Sequence, residues 1–315
     1  MDLSIIIPFY NEEKNIGPLY RELSAVLETS GFEYEIFFVD DGSTDSTFQE
    51  LLKLRQENVR ISIIKFRKNF GKSAVLNTAF YHAKGEFLIT LDGDLQDDPK
   101  EIPRFIAKIV EGFDLVSGWK YPRKDPITKT IPSLIFNRLT CFITGVHLHD
   151  FNCGFKAYRS KVVKNIHLYG EMHRYIPVLA AWDGYTVTEI EINHRPRRFG
   201  VSKYHASRIM KGLFDLVTIK FLTKYASRPL HFFGIIGSVS VIIGTLIGIY
   251  LVFLKIFENA SIGERPLLLL SVLLILVGFQ FISLGLIGEM IVFRETREEN
   301  PDRYIETIVY NDLQL

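Results

Sequence analysis

Along the first half of the chain, short runs of β-branched and aromatic residues alternate with segments whose apolar positions recur every three or four residues. The runs Leu3–Phe9, Tyr34–Val39, Ile61–Phe66, Glu86–Leu91 and Leu115–Trp119 read as strands. Their near-continuous apolar content suits a sheet buried on both faces. Between them, Asn15–Leu27, Thr47–Arg55, Lys72–Ala83 and Ile102–Glu111 carry helical periodicity. This rhythm predicts an α/β fold with a mostly parallel sheet and right-handed crossovers. In such sheets ligands bind beyond the carboxyl ends of the strands. Polar clusters fall there: Tyr10-Asn11-Glu12 after the first strand, Asp40-Asp41 at the end of the second, and Asp92-Gly93-Asp94 after the fourth.

The pattern then changes twice. His205–Ala226 sets Lys211, Lys220 and Lys224 against Ile209, Leu213, Leu216 and Phe221. Alone this would be an ordinary surface helix; beside the long apolar stretches C-terminal to it, it reads as a basic amphipathic helix lying in a lipid interface. Those stretches, Pro229–Leu254 and Pro266–Phe293, are of about 25 residues or more, long enough to cross a bilayer core. Arg208, Lys211, Lys220, Lys224 and Arg228 precede the first stretch, and Arg294, Arg297 and Arg303 come after the second. The connecting loop has only Lys255 and Arg265. The asymmetry predicts a multi-pass protein of the cell (inner) membrane with both termini cytoplasmic. The expected organisation is a cytoplasmic α/β domain over 1–204, a juxtamembrane helix over 205–228, a two-helix anchor over 229–293 and a cytoplasmic tail over 294–315. Glu289, about a turn from Arg294, reads as structural, and Gly244 and Gly248 as a contact of one span with the other.

Composition agrees with lipid contact: 47% of residues are hydrophobic and mean hydropathy is +0.13. A net charge of +1 predicts no nucleic-acid partner. Cys141 and Cys153 have neither zinc-site nor disulfide-framework spacing, which fits a reducing compartment. Met1–Glu13 has no basic start and its apolar run breaks at Pro8, so no signal peptide is expected.

Three segments carry candidate chemistry. In Leu91–Pro99 (LDGDLQDDP), Asp92 and Asp94 flank a glycine after a buried strand. Paired carboxylates there suit a hard divalent cation, Mg²⁺ or Mn²⁺, shared with substrate phosphates. In Val39–Asp45 (VDDGSTD), Ser43, Thr44 or Asp45 suits a helix cap, while Asp40 and Asp41 suit a base edge or ribose hydroxyls. Pro8–Glu13 (PFYNEE) either lines a nucleoside pocket or, at Asn11, caps a helix.

In order and spacing, IIIPFYNEEKNI, FVDDGSTDST, RKNFGKSAVLNTAF, LDGDLQDDP, DFNCGFKAYR and RFGVSKY resemble the family 2 inverting glycosyltransferases of the Rossmann-like GT-A fold. The similarity is to the branch containing dolichyl-phosphate mannose synthase and bacterial polyprenyl-phosphate (bactoprenol) glucosyltransferases, and it covers almost the whole chain. It implies transfer of a sugar from a nucleotide-sugar to a polyprenyl (undecaprenyl or dolichyl) phosphate, with UDP-glucose the first expectation and other UDP-sugars or GDP-mannose next. It implies that Pro8, Tyr10, Glu12 and Asp40 contact the nucleoside. It also implies that Asp92, Asp94 and Gln96 hold the metal on the diphosphate. Arg198, Ser202 and Lys203 match the family's RxxGxSK pattern and are the expected lipid-phosphate ligands, with Lys120, Arg123 and Arg138 as further basic candidates. His173 and Arg174 are either a substrate-side element or core and membrane contacts. Asp150 falls where members carry an acceptor-side Asp and is expected to position the acceptor. Some glucosyl members have an Asp where this chain has Gly154. A lipid phosphate is already mostly dianionic at neutral pH, so it attacks without a strong base and inverts the anomeric carbon. Two alternatives are a processive polysaccharide synthase, against which the chain has no QxxRW and only two spans, and a catalytically silent scaffold, against which both metal acids are present. Oligomeric state is open, and a homo-oligomer is compatible with the sequence.

Overall fold

Seven strands form one sheet in the order β3-β2-β1-β4-β6-β5-β7. They are β1 (Leu3–Phe9), β2 (Tyr34–Asp40), β3 (Ile61–Lys65), β4 (Phe87–Thr90), β5 (Leu115–Lys120), β6 (Lys156–Arg159) and β7 (Val187–Ile192). The computed structural model describes residues 1–121, 127–166, 168, 170–196, 215, 216, 218, 221, 225, 228–258, 261 and 265–298. The chain divides into two units, Met1–Ile219 and Lys220–Leu315. The division falls inside the expected 205–228 helix, most of which lies outside the described residues.

The five expected strands and the four helices expected between them form within one or two residues of their predicted ends. Helices α1 (Glu13–Thr29), α2 (Thr47–Glu57), α3 (Lys72–His82) and α4 (Ile102–Val110) connect the first five strands. Helix α4 buries Ile102, Phe105, Ile106 and Ile109, a stripe at helical spacing. Phe105 stacks on Phe155 with ring centroids 4.3 Å apart. Strand β1 lies parallel to both β2 and β4. The chain winds outward from β1 to β3, then returns to β1's other edge as β4. That reversal is the switch point where α/β sheets bind ligands.

Strand β6 is antiparallel to both neighbours, pairing Thr90 with Lys156 and Ser117 with Lys156. Its entry therefore lies at the carboxyl end of β4, and Asp150–Gly154 arrive beside Asp92. Helices α5 (Ile127–Thr144), α6 (Ser160–Asn165) and α7 (Ile176–Trp182) complete the unit.

In the second unit, two apolar helices, Pro229–Phe257 and Pro266–Glu298, are long and apolar enough to cross a membrane. They pack through small residues. A Cβ on Gly237 would come within 2.6 Å of the Gly278 carbonyl oxygen, and one on Gly244 within 2.9 Å of the Ser271 carbonyl. Ser271 Oγ donates to the Gly244 carbonyl at 2.8 Å. The Gly244/Gly248 pair thus serves contact within the chain. Glu289 accepts the Leu230 backbone N–H at 3.2 Å, satisfying one of the donors left open in a helix's first turn.

Candidate active site

The loops after β1 and β2 hold each other through side chains. Asn11, in the left-handed region at φ 53°, receives the Thr44 N–H on Oδ1 at 2.8 Å, and its own N–H donates to Ser43 Oγ at 2.9 Å. Glu12 N–H donates to Thr47 Oγ1 at 2.9 Å, and Glu13 accepts from Ser46 N–H at 3.0 Å. Asn11 thus braces the opposite loop instead of capping α1. Asp45, not Ser43 or Thr44, serves the first turn of α2, accepting the Thr47 N–H at 3.0 Å. Pro8, Tyr10 and Glu12 are half-buried at the rim.

Asp40 and Asp41, adjacent in sequence, do different things. Asp40 is fully buried; its Oδ1 accepts the Ser43 N–H at 2.9 Å, and its Oδ2 has no partner among the described residues. A buried acceptor left open is costly and marks a place for a ligand donor. Asp41 uses both oxygens on backbone, accepting from Phe70 at 2.7 Å and Gly71 at 3.0 Å. Burial pushes its carboxyl up, against those two N–H groups. Asp41 therefore clamps the loop that leads into α3 and Lys72, where the sequence suggested nucleotide contact. Gly42 makes this possible: φ is +71°, and a Cβ would lie 2.4 Å from the Lys68 carbonyl carbon.

After β4, Leu95 is buried and held at φ 61°, an unfavourable conformation for a leucine. It makes a tight turn of Asp92–Gln96. Asp92 N–H donates to Asp97 Oδ2 at 3.2 Å, and Asp92 Oδ1 pairs with Lys72 Nζ. Burial opposes ionisation of Asp92, but the Lys72 and Lys120 charges prevail and hold its carboxyl at about 2. Asp94 Oδ1 accepts the Gln96 N–H at 3.2 Å. Gln96 turns its amide nitrogen to His194 Nε2 at 3.2 Å and the Arg195 carbonyl at 3.3 Å. Arg195 pairs with Glu22 at 2.5 Å and Asp98 at 2.6 Å. Lys120, expected at a lipid phosphate, lies 3.5 Å from Asp97 beneath this loop.

Gly154 faces the carboxylate of Asp92. A Cβ there would stand 2.4 Å from Oδ2 and 2.6 Å from Oδ1. The space a side chain would fill is thus kept clear around an ionised carboxylate. With Asp94 two residues on, the donor set fits a divalent cation that takes its remaining ligands from phosphate and water. Among the described residues no cluster of three or more His, Cys, Asp or Glu side chains could hold a metal by itself.

Asp150 is buried and its Oδ1 receives the Asn152 N–H at 3.0 Å, shaping the turn before β6. Arg138 is exposed on α5. Arg123, Arg198, Ser202 and Lys203 lie outside the described residues. Two contributors went unnoticed in the sequence: Lys72 and Lys156. For Lys156 the signal was a lone charge in the apolar run Phe155–Tyr158.

Residues 4–166 match the family profile described as Glycosyl transferase family 2. The chain is similar to dodecaprenyl-phosphate galacturonate synthase of Rhizobium johnstonii, with 37% identity over 99% of this chain and 94% of that protein. It is also similar to undecaprenyl-phosphate 4-deoxy-4-formamido-L-arabinose transferase of Salmonella paratyphi A, with 35% identity over 98% and 94%. Among solved structures, glucosyl-3-phosphoglycerate synthase from Mycobacterium tuberculosis in complex with Mn²⁺ and UDP-glucose aligns with a TM-score of 0.55 at 15% identity. That alignment covers 70% of this chain and 78% of the other, a likeness of fold.

Proposed function

Because the chain belongs to glycosyl transferase family 2, and is therefore a glycosyltransferase with the GT-A fold, we propose that it moves one sugar from a nucleotide-sugar onto polyprenyl phosphate at the cytoplasmic face of the membrane. The observation that carries this reading is the open, buried Oδ2 of Asp40 at the same sheet edge as the Asp92–Asp94 pair. The relatives' names, which pair polyprenyl phosphates with galacturonate and 4-deoxy-4-formamido-L-arabinose, support the acceptor class.

In this reading Asp40 accepts an N–H of the base, and Pro8, Tyr10 and Glu12 line the nucleoside. Asp41 positions the loop that presents Lys72. Asp92 and Asp94, with Gln96 beside them, would hold Mg²⁺ or Mn²⁺. A bound divalent cation there neutralises charge on the departing nucleoside diphosphate. The acceptor's phosphate oxygen forms a bond to the anomeric carbon from the face opposite the leaving group. The bond from that carbon to the diphosphate oxygen breaks, the electron pair leaves with the nucleotide, and the anomeric configuration inverts. Asp150 shapes the acceptor side; Arg198 and Lys203, with Arg123 and Arg138, supply cations for the lipid phosphate, and Ser202 a hydroxyl. The two apolar helices anchor the enzyme in the inner membrane with both termini cytoplasmic, where nucleotide-sugars are made. UDP-glucose is the simplest donor; the relatives' names favour a modified sugar.

The test uses the purified full chain with undecaprenyl phosphate and a panel of UDP- and GDP-sugars, read by mass spectrometry of the lipid. One donor should yield a polyprenyl-phosphate sugar. EDTA should stop transfer reversibly and Asp94→Asn should abolish it, with the fold retained. No sugar-lipid from any donor, or full activity in chelator, would overturn the reading or its metal respectively.

A further inference from the structure

Beside Asp92 the α/β unit contains a small recess, partly open to solvent. Lys72, Lys156 and Arg174 contribute cations to its wall, and none of its lining side chains is a carboxylate. Two of the three cations have acidic partners: Lys72 pairs with Asp92, and Arg174 lies 2.9 Å from Glu171. Lys156 has none. It is 3% exposed, its Nζ donates to the Cys153 carbonyl, and no carboxylate lies within 4.0 Å of it among the described residues.

A lysine buried without a counter-ion is strongly disfavoured. Burial lowers the Lys156 pKa accordingly, with the Lys72 charge adding to it while Asp150 and Asp92 oppose. An apolar residue would fill this strand position at less cost, so the charge implies an anion that arrives with the ligand. His173, also in the wall, is driven toward its neutral form, first by burial and then by the surrounding cations. It is held by Ser73, whose Oγ lies 3.1 Å from Nδ1.

The size and the other wall groups narrow the ligand. As it stands the recess has room for about one bound water, the scale of a single carboxylate substituent and far too small for a nucleoside or a prenyl chain. Thr90, Asn152 and Tyr158 place hydroxyl and amide groups among the cations. That mixture suits an anionic substituent at the edge of a hydroxyl-bearing ring. The recess adjoins Asp92 through both Lys72 and Gly154. A sugar whose diphosphate meets Asp92 and Asp94 is the group placed to extend a substituent into it.

We propose that this recess receives a carboxylate carried by the transferred sugar, bound there by Lys156 and Arg174, so that the donor is a nucleotide-activated uronic acid. The proposal rests on the sugar-transfer function above and names its substrate class. Charge-assisted contacts to a buried carboxylate are strong, and Arg supplies a planar fork for it.

The test measures kcat/KM of the full chain in detergent with undecaprenyl phosphate and four donors: UDP-galacturonate, UDP-glucuronate, UDP-galactose and UDP-glucose. Calorimetry of the same donors without lipid runs in parallel. Wild type should prefer at least one uronate to its neutral counterpart by roughly 10-fold or more in both measurements. Lys156→Met should cut the uronate-to-neutral ratio by roughly 10- to 100-fold, the effect expected from a buried charged hydrogen bond. Arg174→Gln, on a separate element, should move the ratio the same way and keeps the test available if Lys156→Met does not fold. Neutral donors equal to or better than uronates in wild type overturn the proposal. So does an equal loss for both donor types in the variants, which would make the lysine structural. A rise confined to the KM for undecaprenyl phosphate also overturns it, assigning the cations to the acceptor's phosphate. The underlying function fails differently: no donor would label the lipid, while calorimetry still reports any uronate preference.

Discussion

Replacing Gly154 by alanine adds one methyl group where the structure has no room for it. The added carbon would lie 2.4 Å from Asp92 Oδ2, 2.5 Å from Cγ and 2.6 Å from Oδ1. An ordinary carbon–oxygen contact is about 3.3 Å or longer, so the carboxylate must retreat by about 0.9 Å. It is the end of a short side chain and can do so by rotation, which keeps the stability cost to about 1–2 kcal/mol. Function has no such latitude. Metal–oxygen distances are held near 2.0–2.1 Å for Mg²⁺, and a displacement of about 1 Å at a reacting centre costs roughly 100-fold in rate. Gly154→Ala should therefore lower kcat by about 100-fold and raise the metal concentration needed for half-maximal activity, while thermal unfolding moves only slightly. Gly17→Ala is the control, because a Cβ at Gly17 meets nothing within 4 Å. That change lies in α1 and should raise stability by about 0.5–1 kcal/mol without touching rate. The assay is sugar-lipid formation against Mg²⁺ or Mn²⁺ concentration, beside thermal melts of both variants. Wild-type kcat and metal response in Gly154→Ala would refute the reasoning, since Asp92 would then not need the position it occupies.

Asp41→Ala removes the acceptor of the Phe70 and Gly71 N–H groups and should destabilise by about 1–3 kcal/mol per donor left open, measured by urea unfolding; donor affinity should fall with it, and an unchanged melt would exclude the clamp. Arg198→Ala should raise the KM for lipid phosphate and lower turnover while calorimetric nucleotide affinity holds; loss of nucleotide binding with an unaltered lipid response would move Arg198 to the donor site. A cysteine placed at Ser261 should react with an impermeant maleimide from outside intact cells and one at Leu315 should not; the opposite pattern would reverse the proposed topology.

Much of this protein is legible in its residues because the relevant physics is local. A strand such as Leu3–Phe9 needs only a run of residues that tolerate burial on both faces, and α4 needs only Ile102, Phe105, Ile106 and Ile109 at the right spacing. The apolar helices are set by length and hydropathy alone, and their Gly244 contact by the need of two backbones to approach. The strand-end positions of Asp40, Asp92 and Asp94 are settled as soon as the strands are placed. What a carboxylate does there depends on who arrives, and that is not local. Asp40 and Asp41 are neighbours of the same chemistry, yet one keeps an open oxygen and the other spends both on a loop 29 and 30 residues away. Glu289 has Arg294 nearby in sequence, yet it receives the N–H of Leu230, 59 residues distant.

The sequence by itself determined the parallel α/β core, the carboxylates at its edge, the two apolar helices and the family. The tertiary structure alone decided how β6 enters the sheet. Four residues, Lys156–Arg159, carry too little pattern to announce a strand or its direction. Direction is settled by which sheet edges are free when the segment returns, between β4 on one side and β5 on the other. Running antiparallel, β6 brings its entry to the carboxyl end of β4. That single reversal sets Gly154 against Asp92 and buries Lys156 in the wall of the recess, because hydrogen-bond pairing between distant strands, rather than local preference, sets where those side chains lie.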